Sequence, residues 1–81
     1  LYMVHELKID HEFFIPILEN IKTFEIRKND RNYKKGDIII LKELNEDKAS
    51  FTGRYIKAKI TYISDYQQKD NYVVFSFEKE L

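Results

Sequence analysis

Apolar and polar positions alternate in several short runs of this chain, and the runs predict a mainly β domain with one helix. Met3 to Ile9 reads as a first strand, with Val4, Leu7 and Ile9 apolar among polar neighbours. Asp10 then suits a helix N-cap for His11 to Asn20, where Phe13, Phe14, Ile17 and Leu18 fall at helical spacing. Pro16 predicts a kink there, or a helix that properly begins near it. Asn20 tolerates the left-handed conformation that ends many helices. Thr23 to Lys28 alternates as a second strand, with Phe24 and Ile26 expected to face the core and Thr23, Glu25 and Arg27 the opposite side.

Asn29 to Gly36 reads as a polar loop containing Tyr33. Asp37 to Glu43 is a third strand, whose continuous run Ile38-Ile39-Ile40-Leu41 suits burial on both sides. After the polar connection Leu44 to Gly53, a long fourth strand spans Arg54 to Ser64. Its apolar set is Ile56, Ala58, Ile60 and Tyr62, set against Tyr55, Lys57, Lys59 and Thr61. Asp65 to Asn71 is a turn. Tyr72 to Glu78 closes the pattern with Val73, Phe75 and Phe77 on one face. Five strands and one helix between the first two, β-α-β-β-β-β, favour a small curled sheet or barrel, with the helix across one opening. Phe24, Ile26, Ile39, Ile60 and Phe75 are expected in one core.

Composition narrows the class. At 81 residues the chain is read as one domain, residues 1–81, near the lower limit for a self-sufficient core. It has no cysteine, which removes disulfides and thiolate metal sites. No apolar run approaches the roughly 20 residues that span a bilayer, and no basic-then-apolar leader pattern opens the chain. A cytoplasmic protein without membrane contact is the expectation. His5 and His11 lie on different elements without metal-ligand spacing, so no metal and no cofactor are expected. His5 is read as a partly buried strand residue.

Net charge is zero, yet Lys22 to Lys35 holds six basic and two acidic residues, so that window carries +4 and the remainder −4. A local basic patch on a neutral chain suits a small anion or a short stretch of nucleic-acid backbone. Within it, Lys22 can position a phosphate or act as a base, and Arg27 can fork onto phosphate. Glu25 can hold Arg27, meet a base edge or act as a general base. Lys22 and Glu25 are therefore the catalytic candidates. Lys22, Glu25, Arg27, Lys28, Asn29, Arg31 and Tyr33 are the candidates for nucleic-acid or anion binding. Tyr55, Tyr62, Tyr66 and Tyr72 could also stack on bases, but Tyr33 alone sits inside the basic loop.

The run Asn20-Ile21-Lys22-Thr23-Phe24-Glu25-Ile26-Arg27 resembles the Gly-x-Lys-x-x-Glu-x-Arg signature of the ASCH superfamily, the activating-signal-cointegrator homology domains, with Asn20 in place of Gly. Further features resemble a small bacterial and phage branch of unknown function. These are His5-Glu6-Leu7-Lys8, Arg27-Lys28-Asn29-Asp30-Arg31, Gly36-Asp37 and Thr52-Gly53-Arg54. The resemblance implies a PUA-like β-barrel with a signature-lined cleft beside the helix, and RNA or a nucleotide as ligand. It also implies a rival, a small hydrolase acting on a modified nucleoside or RNA. Members that hydrolyse N4-acetylcytidine use a Lys, a Thr three residues later and a downstream Glu. Here the third position after Lys22 is Glu25, and Thr23 is out of register, although Glu78 could supply the downstream carboxylate. A phage or mobile-element protein-interaction domain is the third reading.

Overall fold

A computed structural model describes residues 1–80. The elements follow the expected order: β1 (Val4–Ile9), α1 (His11–Leu18), β2 (Phe24–Lys28), β3 (Ile38–Leu44), β4 (Phe51–Ser64) and β5 (Tyr72–Lys79). They form a single five-stranded sheet in the order β1-β3-β4-β5-β2. β3, β4, β5 and β2 are joined antiparallel, whereas β1 lies parallel to β3. The sheet curls into a half-barrel, and among the described residues no ladder joins its edge strands β1 and β2. The Arg27 guanidinium spans that seam, its Nη2 donating to the Lys8 carbonyl at 2.8 Å. No helix among the described residues is long and apolar enough to cross a membrane.

The concave side holds the core. Leu7 and Ile9 of β1, Ile39 and Leu41 of β3, Ile56, Ala58 and Ile60 of β4, and Val73, Phe75 and Phe77 of β5 meet Phe14 and Ile17 of the helix. Expected strand faces hold for β5 and for most of β4. Tyr62 is the exception, at 66% exposed. The β4–β5 register shifts between Ile60 and Tyr62, so the extra residue Thr61 turns Tyr62 outward and lets Ile63 pack on the core. The apolar run of β3 is not equally buried on both sides: Ile39 and Leu41 are buried, while Ile38 and Ile40 are half-buried on the outer face.

α1 begins at His11 and runs through Pro16, rather than starting there. Asp10 is extended and makes no side-chain cap bond; its carbonyl accepts instead from the N–H groups of Phe13 and Phe14, both at 3.0 Å. The helix stops at Leu18, before the expected end. Asn20 is left-handed (φ 63°), Ile21 N–H donates to Pro16 O at 2.8 Å and Asn20 N–H to Ile17 O at 3.1 Å. These paired bonds satisfy the last carbonyls and turn the chain into β2.

β2 overturns the expected faces. Phe24 and Ile26 lie outside, at 43% and 53% exposed, while Glu25 is buried at 5%. Pairing decides this: Glu25 stands opposite Phe75 and Arg27 opposite Val73, both inward-facing residues of β5. A strand's side-chain period is two, so the register set by β5 carries the whole strand to one face or the other.

Candidate functional site

The turn after α1 and the first residues of β2 bring Lys22, Glu25 and Arg27 together. Glu25, carried inward beside Phe75, needs partners to offset the loss of water. Lys22 Nζ donates to Glu25 Oε1, and Arg27 Nε donates to Oε2 at 2.9 Å. Both carboxylate oxygens are thus engaged. Lys22 Nζ also donates to the Phe24 carbonyl at 2.7 Å, and lies 5.4 and 4.9 Å from the ring centroids of Phe13 and Phe24. Phe13, Lys22, Phe24, Glu25 and Ile26 line a hollow of about 250 Å³ beside the helix, and Arg27 lies outside that lining. Two of three ammonium N–H groups are occupied on Lys22. On Arg27, Nε and one N–H of Nη2 are occupied, so both cations keep donors for a ligand.

The remaining candidates sit elsewhere. Lys28 and Arg31 are exposed at the far end of β2 and in the loop beyond it. Among the described residues no acid pairs with them, nor with Lys34 or Lys35. Asn29 braces that loop: its side chain accepts from Tyr33 N–H at 2.9 Å, and its own N–H donates to Asn71 O at 2.6 Å. Tyr33 is not a stacking surface for a base. Its ring is 4% exposed and packs in the core, 4.9 Å from the His5 ring and 5.1 Å from Phe75. Burial raises the pKa of its phenol, with Arg27 and Arg31 pulling the other way. The structure therefore gathers Lys22, Glu25 and Arg27, leaves Lys28 and Arg31 as an outlying basic loop, and takes Tyr33 inside.

Two polar clusters escaped the sequence reading. His5 is buried and donates through Nε2 to Asp37 Oδ2 at 2.8 Å. Burial pushes the Asp37 pKa up, but that bond and the backbone N–H groups of Met3 and Lys34 outweigh it and hold the carboxyl low. The second cluster surrounds Glu43, 0% exposed at the end of β3. Its carboxylate accepts from Arg54 Nε (2.7 Å) and Nη2 (2.9 Å), Thr52 Oγ1 (2.7 Å) and His11 Nδ1 (2.7 Å). The Arg54 bonds and those from Thr52 and His11 lower its pKa to about 2 against the opposing effect of burial. Thr52-Gly53-Arg54 was the signal for this cluster, and its partners lie too far away in sequence to pair by inspection. Among the described residues, no group of three or more His, Asp or Glu side chains is placed to hold a metal ion.

Residues 4–77 match the family model described as a domain of unknown function, DUF3850. An uncharacterised 12.9 kDa protein from the GpA 3′ region of Escherichia phage P2 is 44% identical over 62 residues, 76% of this chain and 55% of the phage protein. The chain thus spans about half the length of that relative. It belongs to the DUF3850 family.

Proposed function

We propose that this DUF3850 chain binds RNA or a nucleotide at the Lys22–Glu25–Arg27 cleft, and that the family is related to the ASCH domains. The supporting observation is the buried Glu25 carboxylate, which fixes two cations beside a hollow walled by Phe13 and Phe24. Preorganised donors suit phosphate oxygens, and the flanking aromatic residues suit a base or sugar. The exposed Lys28, Lys34 and Lys35 add long-range attraction.

With Lys22, Arg27 and Arg31 on phosphate, log K for a short single-stranded RNA falls against log salt with a slope near −2, about −0.7 per contact. Arg27→Ala flattens that slope by about 0.7. Lys57, exposed on the outer face of β4, is the control and leaves the slope unchanged on substitution. Titration of RNA oligomers at several salt concentrations checks this. No binding at low salt, or equal weakening by Arg27→Ala and Lys57→Ala, removes the cleft from the argument.

The contact between Lys22 and Glu25 inside the hollow favours a second reading, a small hydrolase acting on a modified nucleoside or RNA. Glu25 stands where a Thr nucleophile is expected, so N4-acetylcytidine gives no turnover above background. Product formation that is lost in Lys22→Ala or Glu25→Ala, with circular dichroism unchanged, promotes the hydrolase.

A further inference from the structure

The cleft at Glu25 leaves the Glu43 cluster without a role. Thr52 is a pin rather than a nucleophile: its hydroxyl donates to Glu43 at 2.7 Å and accepts from Arg54 N–H at 3.0 Å. His11 and Arg54 differ from it, because Glu43 occupies only part of each. Arg54 uses Nε and one N–H of Nη2 on Glu43, so three guanidinium N–H groups remain, with no acceptor among the described residues. His11 is anchored by Nδ1 and keeps Nε2 for another partner. Both side chains line a cavity of about 300 Å³ with Glu43, Asn45, Glu46 and Thr52.

A carboxylate of the chain itself stands at the rim of that cavity. Glu46 Oε1 lies 3.7 Å from His11 Nε2, beyond hydrogen-bond length, and the Glu46 side chain is 86% exposed. It sits loosely where an external anion would bind.

We propose that His11 and Arg54, oriented by the buried Glu43, form a second binding site that takes a small oxyanion, a phosphate or carboxylate group, with Glu46 as the resident competitor. The charged groups around His11 are of both signs. Glu43 of β3 is engaged by Arg54 of β4. In the segment before α1, Asp10 is paired with Lys48 of the β3–β4 connection at 3.3 Å. Glu12 lies on the exposed side of the first helical turn. With Glu43 engaged by Arg54, the unused Arg54 N–H groups are the donors left for an oxyanion, and the neighbouring acids Glu12 and Glu46 keep its affinity modest.

Inorganic phosphate and acetate, titrated separately into the labelled chain, test the site while the His11 ring nitrogens and Arg54 Nε are followed by NMR. Saturable shifts at both residues are expected. Phosphate binding tighter than acetate assigns a phosphate-bearing ligand, and the reverse order assigns a carboxylate. Arg54→Gln could unfold the chain by stripping Glu43 of its main partner, so Glu46→Gln on the exposed connection decides. It tightens binding about two- to fivefold, the reach of an exposed charge pair. Arg27→Ala leaves this site unchanged, which separates it from the RNA cleft. Absence of a saturable shift in Glu46→Gln, or an affinity that Glu46→Gln does not alter, overturns the proposal.

Discussion

Glu25 and Glu43 are both carboxylates withdrawn from water and clamped by cationic side chains, but they are held in different ways. Glu25 takes its partners from its own neighbourhood, three residues before it and two after. Those partners keep a footing in solvent, with the Lys22 and Arg27 side chains 17% and 22% exposed. Glu43 draws on residues 9, 11 and 32 positions away, and so ties the start of α1 and the start of β4 to the end of β3. The first arrangement organises a surface hollow. The second fastens three elements of the fold, with His11 and Arg54 still turned toward a cavity. A buried acid is therefore no single kind of feature; what matters is how far along the chain its partners come from and how much of each partner it occupies.

The sharpest way to break the contrast is to neutralise each acid in turn. Glu43→Gln should cost about 3 kcal/mol in urea unfolding, because it removes the counter-charge for a fixed guanidinium and a fixed imidazole. Glu25→Gln should cost about 1 kcal/mol, since Lys22 and Arg27 can turn to water. Equal losses would erase the distinction. For a small domain with a stability of about 5–10 kcal/mol, the first loss is a large share of the whole.

Acid titration sharpens the same point. The Glu43 carboxyl titrates at about 2 when folded, against an ordinary 4.5. The unfolded chain therefore takes up this proton first as pH falls. The stabilisation is complete above about 4.5 and is lost progressively down to about 2. Asp37, also held low, acts in the same direction. Denaturant midpoints measured across this range should fall steeply in the wild type and less steeply in Glu43→Gln. Identical slopes would deny Glu43 its part.

Arg27→Lys comes next, at about 1 kcal/mol. A lysine keeps the charge but cannot reach both Glu25 and the Lys8 carbonyl with the guanidinium's fixed fork. The smallest effect belongs to Ile26→Thr. On the outer face it should change stability by no more than about 0.5 kcal/mol. A loss of about 2 kcal/mol or more would return Ile26 to the core and Glu25 to the surface.

Much of the fold was legible from the chain. Val73, Phe75 and Phe77 announced their face because β5 lies between two strands and its alternation has one buried solution. Asn20 announced the left-handed turn that follows the helix through its tolerance of positive φ, although the helix itself stops at Leu18. The faces of β2 were not legible. Phe24 and Ile26 alternate with Glu25 and Arg27 in a pattern that fits either side, and only pairing with β5 chooses. Tyr62 was misplaced because a single extra residue at Thr61 changes phase without a glycine or proline to mark it. Lys22, Glu25 and Arg27 were found because their contacts are local, even though the face assigned to Glu25 and Arg27 was wrong. His11, Glu43 and Arg54 were missed because no spacing rule links residues on three separate elements.

The strand order also dictates a sequence of events in time. β3, β4 and β5 form an antiparallel meander whose pairings join consecutive elements. β2 precedes all three in the chain, yet its ladder is to β5, with Glu25 opposite Phe75 fifty residues later. Long loop closures are slow to form. During synthesis the meander can assemble as it emerges, while β2, with Phe24 and Ile26 uncovered, waits for the last strand. The Lys22–Glu25–Arg27 cleft is accordingly expected to be the last part of the molecule to take shape. Pulsed hydrogen exchange during refolding should find β4 amides protected before those of β2, and simultaneous protection would dissolve this order.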